Sequence, residues 1–250
     1  MYVLTIDQRG SSSDVDRVPD LITELAGLSG ARFERSVGDE LQGVVEDAAD
    51  AVDIALHALR SGHWYVGIGI GPVRLAPNGS PREGSGSGFV AARKAVDRAK
   101  AAGGQVPLSV VGGIMAGTGK GSPSAREPST QDRPPQEQSP QERSQEAWLQ
   151  DAGAAAEAAE AAANAQAVLR LIGRLVQERT AAQWRVVDRL RHTGQAGKHG
   201  SQKQVARELG ITEQSVSRAI LRAGWQEELA ARPAAAMLLA LAHSRTEGDA

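Results

Sequence analysis

The chain has 250 residues, a formal net charge of −2 and 41% hydrophobic residues, enough for a substantial core in one or two domains. Only 3% of residues are aromatic, so that core is aliphatic, and the lack of cysteine excludes disulfides, cysteine-ligated zinc, iron–sulfur clusters and thiol nucleophiles. The opening MYVLTIDQRG has no basic stretch followed by an apolar one, and no run approaches the ~18 apolar residues of a membrane span. A cytoplasmic protein with no signal peptide and no membrane partner is expected.

Tyr2–Ile6 reads as a short apolar strand. Ser13 offers an N-cap for a helix over Val15, Val18, Leu21, Ile22 and Leu25. Ala31–Val37 and Leu41–Glu46 read as two strands joined through Gly38-Asp39, and Ala48–Arg60 as an alanine-rich helix. In Trp64–Val73, Gly67, Gly69 and Gly71 alternate with Val66, Ile68 and Ile70, the period of a strand. A helix over Phe89–Ala101 and a strand over Pro107–Val111 follow. The order β-α-β-β-α-β-α-β predicts an α/β sandwich over residues 1–116.

Residues 117–147 hold five of the eleven prolines, and their only apolar residues are Ala125 and Ala147. This composition reads as a disordered linker, able to transmit proximity but not a rigid push. Residues 148–250 read as entirely helical. Trp148–Val176 is alanine-rich. Thr180 with Gln183 is a capping-box signature ahead of Trp184, Val187 and Leu190, and Ser201 with Gln204 repeats it. Pro233–Ala242 predicts a last short helix. The fold class expected is thus α+β in two domains.

Charge separates the two halves. Residues 1–116 carry 14 acidic and 11 basic residues, net −3, whereas 167–224 carry 11 basic and 4 acidic, net +7. A basic module is where nucleic acid is sought. Within it, QKQVARELGITEQSVSRAILRA at 202–223 has helix-turn-helix grammar. Val205 and Leu209 share one face of a first helix, small Ala206 allows close crossing, and Gly210 suits a sharp turn. Val216, Ala219 and Ile220 form the inner face of the second helix. Thr212, Gln214, Ser217 and Arg218 then face outward, where Gln pairs with adenine and Arg with guanine in a major groove. Arg222, Lys203, Arg207 and Lys198 are placed for phosphates. The plainer alternative is a helical hairpin with a solvated basic face. The stretch 180–226 resembles helix-turn-helix transcription regulators, without a β-hairpin wing after Trp225.

Four segments of the first half carry a second resemblance: TIDQRGSS at 5–12, RFERSVGDELQG at 32–43, VGIGIGPV at 66–73 and PREGSGSGFVAARKAVDRAK at 81–100. Their order resembles the nucleotidyl cyclase and GGDEF-type fold, and most closely the SatD family, some members of which continue into a helix-turn-helix. The resemblance implies that Asp7 and Asp39 match two metal-binding aspartates, that Arg93 matches a conserved-role arginine of the penultimate helix, and that Arg35 aligns with a base-recognising lysine. Magnesium and a nucleotide are the cofactor candidates so implied. The simpler reading of Asp7 and Asp39 is turn chemistry. The asparagine that these cyclases carry four residues before the arginine is Phe89 here, so a polar group is missing where charge would develop. This points away from an enzyme.

The expected function is a DNA-binding transcriptional regulator with a degenerate cyclase-like sensor or assembly domain. It would bind double-stranded DNA as a homodimer and respond to a small-molecule or nucleotide effector. The alternatives are an active nucleotidyl cyclase using metals on Asp7 and Asp39, and a helix-turn-helix that contacts protein only. The five histidines show no metal-ligand spacing.

Overall fold

The computed structural model describes residues 1–112, 140–192 and 201–246. The first stretch runs β1 (Tyr2–Gln8), α1 (Val18–Leu28), β2 (Phe33–Arg35), β3 (Glu40–Val45), α2 (Ala48–Arg60), β4 (Trp64–Ile70), a 3₁₀ turn (Pro81–Glu83), α3 (Ser87–Lys100) and β5 (Leu108–Gly112). The strands form one sheet in the order β2-β3-β1-β4-β5, antiparallel except for the parallel β4–β5 pair. The remainder is helical: α4 (Pro140–Glu178), α5 (Ala181–His192), α6 (Ser201–Leu209), α7 (Glu213–Arg222) and α8 (Trp225–Thr246). The chain is therefore α+β, with the expected strand and helix order in its first half.

Three helix starts differ from expectation, and β2 and β4 are shorter than the strands read at 31–37 and 64–73. The first helix does not start at Ser13 but at Val18, because Pro19 fits the first helical turn and would break a helix begun earlier. Residues 13–17 instead form a loop held by Gln8, whose side chain donates to the Val15 carbonyl at 2.7 Å and accepts from the Arg17 amide at 2.9 Å. Residues 140–147, expected in the linker, lie in α4. The rest of the linker reading, 117–139, falls outside the described residues. The last helix does not begin at Pro233; α8 runs through it from Trp225, and the hydrogen bond lost there is offset by burial of Ala235, Leu239 and Ala242.

The two faces of the sheet are packed differently. Leu4, Ile6, Leu41, Ile68 and Ile70 point into a large aliphatic core under α1 and α2. The opposite face lies against α3, at a distance set by glycine. A Cβ on Gly69 would stand 2.2 Å from the Ala92 amide nitrogen, and one on Gly67 would stand 2.4 Å from that of Val96. The alternating glycines of β4 thus let α3 rest directly on strand backbone, with Ala91, Ala92, Ala95 and Ala99 as its small buried stripe.

The helical half is packed onto the sheet half, and residues of α4, α5, α7 and α8 share the large core with β1 and α2. Two devices join them. First, α4 covers the open edge of β5: Gln166 Oε1 accepts from the Val110 amide at 3.0 Å and the Ser109 hydroxyl at 2.8 Å. Arg170 Nε donates to the Leu108 carbonyl at 2.9 Å. Unpaired edge groups are thereby satisfied by side chains. Second, ion pairs cross the junction. Arg60 of α2 forks onto Asp188 of α5 at 2.8 and 2.7 Å, and Arg232 of α8 pairs with Asp53 of α2. Glu228, fully buried, meets Arg179 at 2.5 Å, Arg191 at 2.8 Å and Arg232. Burial alone would push the Glu228 carboxyl up, but Arg232, Arg179 and Arg191 outweigh it and hold it below the usual range.

Candidate nucleic-acid interface and the polar cluster on the sheet

Helices α5, α6 and α7 pack together, and their buried side chains are part of the shared core. The capping box at the start of α5 is formed: the Thr180 amide donates to Gln183 Oε1 at 2.7 Å, and the Gln183 amide donates to Thr180 Oγ1 at 3.3 Å. Behind it Trp184, Val186, Val187 and Leu190 are buried. Helix α6 buries Val205 and Ala206, and the Ala206 carbonyl accepts from the Ile211 amide at 3.0 Å across the turn. Gly210 adopts φ 65°, a left-handed conformation that glycine takes without strain. Helix α7 buries Val216 and Ile220 and so presents its other side outward.

Gln214, Ser217, Arg218 and Arg222 are all exposed on α7, and Lys203 and Arg207 are exposed on α6. Among the described residues, Arg218, Arg222, Lys203 and Arg207 form no ion pair with an acid. Lys198 lies outside the described residues. Thr212 is exposed, but its hydroxyl accepts from the Ser215 amide at 3.1 Å, so it caps α7. Sequence reading missed Leu221, which is 74% exposed on the same outward side. Its position one turn beyond Ser217 and Arg218 was the available signal, because a helix face repeats every three to four residues. An apolar side chain there suits a thymine methyl.

The second candidate site lies under α3. Asp7 of β1 stands opposite Glu40 of β3 in the antiparallel register, and both carboxylates are buried. Lys100 Nζ donates to Asp7 Oδ2 at 2.6 Å, and Arg93 Nη1 lies 2.9 Å from Glu40 Oε2. Burial pushes both carboxyls up, and the two cations only partly offset it. The structure therefore brings Asp7 and Arg93 into one cluster, together with Glu40 and Lys100, which sequence reading missed. The signals were the seven-residue spacing of Arg93 and Lys100, two helical turns, and the position of Glu40 at the start of β3.

Asp39 sits half-buried at the hairpin before β3, where its carbonyl accepts from the Gln8 amide at 3.2 Å and its charge raises Asp7 further. Arg35 is not part of this cluster. It pairs in register with Leu41, whose side chain points to the opposite face, and its guanidinium binds Asp16 at 2.5 Å and the Gly38 carbonyl at 2.8 Å. Phe89 packs beside Val3, Val44 and Ala92, its ring filling the space a Cβ on Gly84 would need.

The donor set does not fit a two-metal centre. Asp7 and Glu40 are each committed to a cation, and among the described residues no group of three or more His, Asp or Glu side chains is arranged to hold a metal. Nor is any helix among them long and apolar enough to cross a membrane. In comparisons with known proteins, no family model, no curated protein and no solved structure matches this chain.

Proposed function

We propose that this chain is a DNA-binding transcriptional regulator, with α6 and α7 as its helix-turn-helix and the sheet half as a sensor or assembly module of degenerate cyclase type. One observation carries the reading. Beyond the Gly210 turn, α7 buries only its inner row and leaves Gln214, Ser217, Arg218 and Arg222 on the outside, flanked by exposed Lys203 and Arg207. Gln214 and Arg218 are the base-reading candidates, and the remaining cations supply phosphate contacts. A homodimer would place two copies of α7 about one helical turn of DNA apart. The ion pairing of Asp7 with Lys100 supports a role other than metal-dependent catalysis for the sheet half.

The test is selection of a site from random duplexes, then titration of the full chain against that site and a scrambled one at two salt concentrations. Tight, selective and salt-sensitive binding is expected. Arg218→Ala should weaken the selected site by about 1–3 kcal/mol and the scrambled site much less. Equal losses on both would reduce Arg218 to a phosphate contact. Leu221 favours a second reading, a protein-contact helix, which absence of binding to any duplex at low salt would support.

A further inference from the structure

A cleft of about 440 Å³ opens where α1, α2 and α5 meet. Its volume lies in the range of small-molecule sites. Its walls divide by depth. Leu21, Trp64 and Trp184 are almost wholly buried and give it apolar sides. Arg60 also lines the cleft and stacks on Trp184, its guanidinium 3.9 Å from the centre of the ring. Glu24 stands at the mouth, 56% exposed, with His57 Nε2 2.7 Å from its carboxylate.

Arg60 links this cleft to the helical half. It lines the space, stacks on Trp184 and forks onto Asp188, and the last two both belong to α5. A guanidinium fork matches a carboxylate in two parallel hydrogen bonds. The pair with Asp188 is one-third exposed on each side, so exchange of one carboxylate for another costs little. Arg17 and Arg60 face Asp20 and Glu24 in the lining, so its formal charges balance and nothing in it draws a polyanion, whereas one negative charge suffices for Arg60.

We propose that this cleft binds a small aromatic monocarboxylate, its ring against Leu21 and Trp64 and its carboxylate on Arg60 in place of Asp188. Occupancy uncouples α5 from α2 and so alters how the helix-turn-helix is held. That last step rests on the DNA-binding reading; binding in the cleft does not.

The test titrates the full chain, without DNA, with phenylacetate and with salicylate by calorimetry, and with ATP as the polyanion control. Saturable binding of at least one carboxylate and none of ATP is expected. Arg60→Gln should weaken binding about tenfold or more. Asp188→Asn, which removes the internal competitor, should tighten it, a result that a purely structural Arg60–Asp188 pair would not give. Arg60→Lys, which keeps the charge but loses the fork, covers the case in which the glutamine variant does not fold. No saturation at millimolar carboxylate, or unchanged or weaker binding in Asp188→Asn, would overturn the proposal. A second titration measures affinity for the selected duplex with and without saturating carboxylate. Unchanged DNA affinity with the carboxylate bound overturns the coupling. Carboxylate binding in a chain that binds no duplex overturns the DNA-binding reading and leaves the cleft assigned.

Discussion

Glu228 has no exposure to solvent, yet three guanidiniums share its two oxygens. Burying one carboxylate is costly, and only near-complete pairing makes it tolerable. Glu228→Gln keeps the shape and removes the charge, leaving Arg179 almost fully buried without its counterion. A loss of about 3–5 kcal/mol is expected in urea unfolding at neutral pH. The pH dependence carries the same information. The folded carboxyl is held below its ordinary value of 4.5, so its contribution is complete above that value and is lost as pH falls through the lower folded one. The stability of the glutamine variant should therefore fall less steeply below pH 4.5 than that of the parent. Asp7 and Glu40 act in the opposite sense. Their carboxyls are raised, so what they contribute is present below their ordinary values of 3.8 and 4.5 and is lost as pH rises through the folded ones. Gly69, like Gly67, has no room for an added methyl. Adding one methyl drives it into the Ala92 backbone at 2.2 Å, and Gly69→Ala should cost at least the usual ~1–3 kcal/mol of overpacking.

Among the elements, β5 is an edge strand whose free side is closed by side chains of α4 and not by another strand. Gln166→Ala removes the acceptor for the Val110 amide and should cost about 1–3 kcal/mol. Hydrogen exchange is the direct measurement: the Val110 amide should exchange faster in the variant, while the Val66 amide, which donates to the Pro107 carbonyl at 2.9 Å, should stay protected longer. Unchanged protection at Val110 would show that α4 shields the edge by exclusion alone. The order of elements in the sheet half was legible in the sequence because each carries its own period. The β4 glycines were legible too, although their meaning depended on the alanines of α3 more than twenty residues later. The Thr180–Gln183 box and the Gly210 turn could be read because both are local. The start of α1 was misread because a capping serine outweighed Pro19, and the start of α8 because Pro233 was given the opposite weight. At α1 the proline decided, and at α8 the burial beyond Pro233 did. Arg60 with Asp188, Asp7 with Lys100 and Gln166 with Val110 could not be read, since pairs so far apart leave no period in the chain.

At the scale of the molecule, the linker composition suggests two independently mobile halves, whereas the described residues place both around one core. Removing α4 and α8 would uncover the face of α2 packed against them and leave the β5 edge unsatisfied. Burial of that face contributes at roughly 25 cal/mol per Å², and neither half recovers it alone. The full chain should therefore unfold in a single calorimetric transition whose van't Hoff and calorimetric enthalpies agree. A protease site inserted after Ala125 provides the sharper measurement, because cutting there breaks the covalent link between residues 1–112 and 140–246. The two fragments should still co-elute in gel filtration and separate only in denaturant. Two resolved transitions, or fragments that part on cutting, would mean that the halves are held together by the linker. Arg60 could then transmit nothing between α2 and α5. If the fragments stay together, the Arg60–Asp188 fork and the Glu228 cluster hold α5 in a fixed relation to the sheet. A ligand that acts on Arg60 then acts on the position of the helix-turn-helix through packed protein, with no need for the linker to carry the signal.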